Sequence, residues 1–291
     1  MAVKRSAFTL LLLISSLAAA QADSNPWNRP IEPFRIMGNL YYVGGADLTS
    51  YLIVTPKGLI LLDGGSPALA PVIQKHIEEL GFKVEDIHIL LNSHAHLDHA
   101  GGLALFKRLS GARMIASEGD KPLLERRIQD PQFGERLGFN AVLVDQVIHD
   151  GESVELGGVS LRAVLTPGHT PGCTTWTMTV AEGNKKYDVV FLCSISSPDQ
   201  YKLVNNRAYP QIVADYEHSF ARLKHLPCDI FLGAHGTFFH LREKSAQLKA
   251  GVKPNPFIDP DGFRWFVAAS EREFRQMLQQ QRMNAAHAGN P

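Results

Sequence analysis

Between Leu90 and Gly102 the chain reads LLNSHAHLDHAGG: an apolar run ends, three histidines and an aspartate crowd into the positions from His94 to His99, and two glycines close the segment. Burying three imidazoles and a carboxylate together is costly unless a cation organises them. A catalytic zinc usually takes three protein ligands plus water, and a structural one takes four. Residues two apart on a loop share a side, so His94 and His96 converge on one ion while Asp98 and His99 swing toward another. Neither set is complete, so the fold has to deliver further ligands to the same edge.

Two other segments repeat the context of a loop leaving an apolar strand. TPGHTPG places His169 after RAVL, and GAHGTF places His235 after IFL. The spacing therefore assigns His94, His96 and His169 to one zinc and Asp98, His99 and His235 to a second, two Zn2+ ions per chain. The other histidines (His76, His88, His149, His218, His225, His240 and His287) stand alone and read as surface or hydrogen-bonded core residues.

With 291 residues and 45% hydrophobic composition, the chain can bury a sizeable core. NLYYVGG and TSYLIVTPKGLILLDGG read as strands, and SPALAPVIQKHIEELGF as a helix with Leu69, Val72, Ile73, Ile77 and Leu80 on one face. DIHILLNS follows as a strand buried on both sides, and ARMIAS as a further strand. GGLALFKRLSG, DKPLLERRIQD, YPQIVADYEHSFARLKHL and GFRWFVAASEREFRQMLQQQ read as helices, SVELGGVSLRAVL as a hairpin and DIFLGAH as a strand. The lead SNPWNRPIEPFRI, broken by prolines, reads as an arm over the surface. The expected fold is α/β, two mixed sheets packed face to face with helices on the outer faces.

Charge balances at 29 basic against 29 acidic residues, so no broad cationic surface awaits nucleic acid. Lys4 and Arg5 precede an apolar stretch from Ala7 to about Ala19 and then small residues, the pattern of a secretory signal with cleavage after Ala20 or Ala22. Residues 1–22 thus read as signal, 23–283 as one domain and 284–291 as a loose tail. The mature chain is expected to be exported, periplasmic, free of the membrane and monomeric. Export favours a disulfide. Cys173 and Cys193 lie equidistant from Gly183 at the turn of a second hairpin, which makes them cross-strand neighbours and predicts that bridge, with Cys228 left as a buried free thiol.

The H-x-H-x-D-H signature with a downstream G-H-T-P-G histidine is similar to the metallo-β-lactamase superfamily, and the blocks DLTSYLIVTPKGLILLDGG, SHAHLDHAGG, TPGHTPGCTTWT, CSISSP and LPCDIFLGAH resemble its subclass B3 β-lactamases. The resemblance implies an αββα sandwich and a zinc-dependent hydrolase that opens β-lactams, carbapenems included, with a zinc-activated hydroxide and no acyl-enzyme. It also implies the Cys173–Cys193 bridge, and it leaves Cys228 without the partner cysteine that some members carry. Asp98 would be ligand and orienter of the nucleophile, and Ser194, Ser196 and Tyr201 donors to the substrate. Asp63 in LLDGG would orient the metal loop by hydrogen bonds. A thioesterase resembling glyoxalase II, a lactone hydrolase and a non-catalytic zinc module share the cluster. The first two are disfavoured where their family places a metal-bridging aspartate and this chain has FLCSIS.

Overall fold

A computed structural model describes residues 26–134 and 138–288. The signal segment read at 1–22 lies outside them. Seven strands form one sheet in chain order: β1 (Phe34–Met37), β2 (Leu40–Tyr42), β3 (Tyr51–Thr55), β4 (Gly58–Leu62), β5 (Ile87–Leu91), β6 (Arg113–Ser117) and β7 (Gln146–Ile148). The second sheet holds β8 (Ser153–Leu156), β9 (Val159–Leu165), β10 (Thr174–Glu182), β11 (Lys185–Leu192) and β12 (Ile230–Gly233), in the order β12-β11-β10-β9-β8. Both are mixed: β4 to β7 pair in parallel, as do β11 and β12, and the remaining pairs are antiparallel.

The apolar runs of β3 to β6 follow from burial on both faces. Tyr51, Ile53, Ile60, Leu62, Ile89, Leu91 and Ile115 point into the core shared with Trp176, Met178, Phe191 and Phe231 of the second sheet. Their neighbours Leu52, Leu59, Leu61, Leu90 and Met114 point the other way. There they meet Ile73 and Ile77 of α1 (Ala70–Glu79) and Leu103 and Phe106 of α3 (Leu103–Ser110). Between β5 and α3 lies the single turn α2 (Leu97–Ala100), and α4 (Lys121–Leu124) follows β6. On the far side α5 (Ile212–Leu223), α6 (Leu241–Lys249) and α7 (Pro260–Ala288) follow, with Tyr216, Phe220, Phe263, Val267 and Phe274 covering the second sheet.

Several expectations are corrected. The proline-rich lead is not only a surface arm: Phe34–Met37 pairs as β1, with Ile36 and Met37 buried. It is an edge strand, the position where an adjoining proline costs no ladder bond. The helix read in DKPLLERRIQD ends after one turn, because Arg126 turns into the left-handed region at φ 57°. Strand β7 and helix α6 carry too weak a pattern to have been foreseen. The last helix runs to Ala288, into the segment read as a loose tail.

The second hairpin pairs Glu182 with Lys185, so its centre falls between Gly183 and Asn184 rather than on Gly183. Cys173 and Cys193 are therefore one residue out of register, just beyond the last ladder pair of Trp176 with Phe191, and they form the disulfide with Cα atoms 6.0 Å apart. Cys228 is free. No helix among the described residues is long and apolar enough to cross a membrane.

Candidate metal centre

The chain exits of β4, β5, β6, β9, β11 and β12 all open at one end of the sandwich, where the polar residues of the sequence motifs collect. In open α/β sheets the carboxyl ends of parallel strands are where ligands bind. His94 and His96 lie on the loop after β5, and His96 caps the single turn α2 that carries Asp98 and His99. That change from extended chain to helix is what swings the second pair of side chains away from the first.

His94, His96 and His169 form one triangle, with ring centroids 4.9, 4.8 and 4.7 Å apart, and their ligand atoms lie within 4.8 Å of one another. The second triangle is tighter. His99 Nε2 stands 3.3 Å from Asp98 Oδ2 and 3.3 Å from His235 Nε2, and His235 Nε2 stands 3.5 Å from Asp98 Oδ2. Ligands about 2.0–2.1 Å from a tetrahedral zinc are themselves separated by about 3.3 Å, so this donor set fits the ion. The triangles abut, since the His94 and His99 rings are 4.2 Å apart.

The outer nitrogens support the same assignment. With Nε2 turned inward, His94 Nδ1 donates to Ser93 Oγ at 3.1 Å, His169 Nδ1 to the Ser196 carbonyl at 2.9 Å and His235 Nδ1 to Asp47 Oδ2 at 2.9 Å. His96 is inverted: its Nε2 donates to Asp130 Oδ2 at 3.2 Å, which turns Nδ1 inward. His99 Nδ1 has no hydrogen bond of good geometry, and its nearest partner is Asp63 Oδ2 at 3.4 Å. Such outer partners fix tautomer and ring orientation in metal sites.

Electrostatics ask for a cation here. Burial, reinforced by the neighbouring imidazoles, holds His94 well below the usual histidine range, and burial with the adjacent His96 ring does the same to His169. Each keeps the lone pair a metal needs. Burial opposes charge on His99 too, but the Asp98 and Asp63 carboxylates override it and raise the imidazole to about 10. Asp98 is itself held far below the carboxylate range: burial opposes this, and the His99 charge prevails.

Of the residues expected to touch substrate, Ser194 and Ser196 line the open cleft of about 550 Å3 beside the cluster, their hydroxyls 3.0 Å apart. Tyr201 does not reach it. Its ring is buried and its hydroxyl donates to the His169 carbonyl at 3.0 Å, so it braces the His169 loop from behind. Asp63, just past β4, accepts from Asn92 Nδ2, Ser93 N and Ser93 Oγ at 2.9, 2.7 and 2.6 Å, tying down the start of the histidine loop.

Sequence reading missed Asp47, Asp120 and Asp130. The first two sit in turns next to strand ends, the signal that singled out Asp63. Asp130 gave no such signal. Apolar rings close the cleft: Trp27 lies 5.8 Å from His235, Phe238 5.2 Å from His235 and Phe133 5.1 Å from His96. No lysine or arginine is among its described lining residues.

The family model of the Metallo-beta-lactamase superfamily matches residues 44–235. The native FEZ-1 metallo-β-lactamase from Legionella gormanii superposes with a TM-score of 0.84 at 45% identity, covering 87% of this chain and 98% of that one. BJP-1, a subclass B3 metallo-β-lactamase of Bradyrhizobium japonicum, gives 0.85 at 41% identity, covering 90% and 98%. A hydroxyacylglutathione hydrolase, GloC of Haemophilus influenzae, is 30% identical over 70% of this chain and 88% of its own length. These likenesses agree with the two-sheet frame and the histidine cluster, and the chain belongs to the metallo-β-lactamase superfamily of hydrolases.

Proposed function

We propose that the chain is an exported, periplasmic β-lactamase whose two zinc ions are held by His94, His96 and His169 and by Asp98, His99 and His235. The observation that carries the choice of substrate is Ser194. It stands at the exit of β11, facing the cleft, where the thioesterase branch of the family supplies a metal-bridging carboxylate. Without that carboxylate the centre keeps more positive charge for an anionic substrate. The cleft, walled by Trp27, Phe133 and Phe238 and lined by no lysine or arginine among its described residues, suits a compact ring with one carboxylate better than a glutathione chain with two.

Zinc bound at such a site polarises a carbonyl and brings the pKa of water down to about 7. The chain's own residues do the rest. Asp98 orients the nucleophilic water with its free carboxylate edge, and Ser194 and Ser196 donate hydrogen bonds to the substrate carboxylate. Those two hydroxyls face each other rather than an imidazole base, which supports hydrolysis without an acyl-enzyme. Export is supported by the Lys4-Arg5 and apolar pattern at the amino terminus and by the Cys173–Cys193 bridge, which persists in oxidising compartments.

The likeness to the hydroxyacylglutathione hydrolase supports a second reading, thioester hydrolysis at the same centre. Turnover of a carbapenem, a chromogenic cephalosporin, a glutathione thioester and a lactone, each before and after chelation, separates the two. Chelator-sensitive turnover of the β-lactams is expected; thioester turnover with inert β-lactams would overturn the first reading.

A further inference from the structure

Asp120 lies at the exit of β6, where its backbone begins the turn α4. Its side chain is buried and reaches both loops that carry the three-imidazole triangle. Oδ2 accepts from Ala95 N at 2.9 Å, the amide between His94 and His96, and from Thr170 Oγ1 at 2.9 Å, the residue after His169. Oδ1 accepts from Gly172 N at 2.8 Å, at the far end of the same loop.

The close approach is built into the backbone. A Cβ on Gly119 would stand 2.6 Å from the Pro171 carbonyl oxygen, and one on Gly172 would collide with Asp120 N and Ser117 Oγ. Only glycine lets these turns meet. Ser117 Oγ also donates to the Gly172 carbonyl at 2.5 Å. Three donors from two loops thus converge on one carboxylate, although the loops are more than seventy residues apart in the sequence.

We infer that Asp120 is a positioning residue: it sets the spacing between the His94–His96 loop and the His169 loop so that their three imidazoles bind one metal ion. The inference rests on the three-histidine half-site proposed above. A carboxylate is required because every group facing it is a donor. In Asp120→Asn the amide can satisfy Ala95 and Thr170 with its oxygen, but its N–H2 then opposes the Gly172 N–H. In Asp120→Ala all three tethers go, and in Thr170→Val one goes.

The test is zinc titration of the full chain and its variants against a chromophoric chelator, with the visible spectrum of the Co2+-loaded protein as a second readout and circular dichroism as a check of folding. Wild type should take up two equivalents. Asp120→Ala should bind one of the two about ten- to a hundred-fold more weakly, the range seen when outer partners of metal ligands are removed, and leave the other unchanged. Asp120→Asn should fall between, and Thr170→Val should weaken the same equivalent a few-fold. The Co2+ spectrum of the weakened site should change in intensity, which a general loss of stability would not produce.

Folded Asp120→Ala with wild-type affinity at both equivalents would overturn the inference. If that variant does not fold, wild-type affinity in both Asp120→Asn and Thr170→Val would do so. Failure of the β-lactamase reading appears in turnover by the wild type, and failure of the positioning role appears in metal affinity of the variants.

Discussion

Asp63 holds a backbone conformation that aspartate adopts more readily than most residues, φ 63°, in the left-handed region. Its carboxylate is the acceptor for three buried donors from Asn92 and Ser93. Asp63→Ala should therefore cost stability twice, through the unfavourable φ and through stranded donors, by about 3 kcal/mol together. Denaturant unfolding of the metal-free protein measures it, and a loss within about 0.5 kcal/mol would show that the loop holds itself. Tyr201→Phe should leave KM for a β-lactam unchanged, because the hydroxyl faces the His169 carbonyl rather than the cleft. A rise in KM of ten-fold would instead put Tyr201 on the substrate. Burial and the Asp229 and Asp259 carboxylates push the Cys228 thiol up to about 12, so at neutral pH the reactive thiolate is scarce. A thiol reagent should label the folded chain far more slowly than the unfolded one, and equal rates would contradict that. At this scale the inner cluster was legible because three imidazoles and a carboxylate have few other reasons to crowd together. Asp47, Asp120 and Asp130 were not, because aspartate is common in turns and only the folded loops show what it faces.

Strands and helices were legible where the periodicity was strong. The runs at β3 to β6 and the faces of α1, α3 and α5 follow from the alternation and spacing of apolar residues, since each packs on a neighbour that demands it. The turn α4, the strand β7 and the helix α6 are short or polar, and tertiary contacts rather than local pattern make them what they are. The hairpin of β10 and β11 shows the limit of symmetry arguments: a half-residue shift in its centre put the cysteines one residue out of register, which in a regular ladder would turn them to opposite faces, and the bridge forms because both lie beyond the last pair, Trp176 with Phe191, where the ladder no longer dictates that alternation. That disulfide closes a loop of sequence separation 20, between the residue that follows Gly172 and the residue that precedes Ser194. Replacing both cysteines by serine should lower stability by about 3 kcal/mol and slacken the His169 loop. Chemical denaturation of the purified variant, beside its zinc affinity, tests both parts, and a variant as stable as wild type would show the bridge to be redundant.

The two sheets meet along one core, but at the open end the loops bring together charges that repel or desolvate one another. His94, His96, Asp98 and His99 arrive from the first sheet, and His169 and His235 arrive from β9 and β12 of the second. Direct ties also cross there: Thr49 Oγ1 and Tyr51 Oη both donate to the Gly233 carbonyl, at 2.8 and 2.7 Å, two residues before His235. Ions held by ligands from both sheets act as cross-links that exist only in the folded state, so they stabilise it by mass action. One site at free zinc 1,000-fold above its Kd contributes about 4 kcal/mol, and in a domain of this size each kcal/mol moves Tm by about 2–4 °C. Chelation should therefore lower Tm by roughly 8–16 °C for one such site, and the shift should grow with the logarithm of free zinc on back-titration. Asp98→Ala and His169→Ala should each flatten that dependence, because each removes a ligand from a different triangle. Scanning calorimetry across buffered zinc concentrations makes the measurement. A Tm that ignores zinc in the wild-type chain would mean that the loops hold their places without the ions, and that the six side chains do not form the centre their arrangement describes.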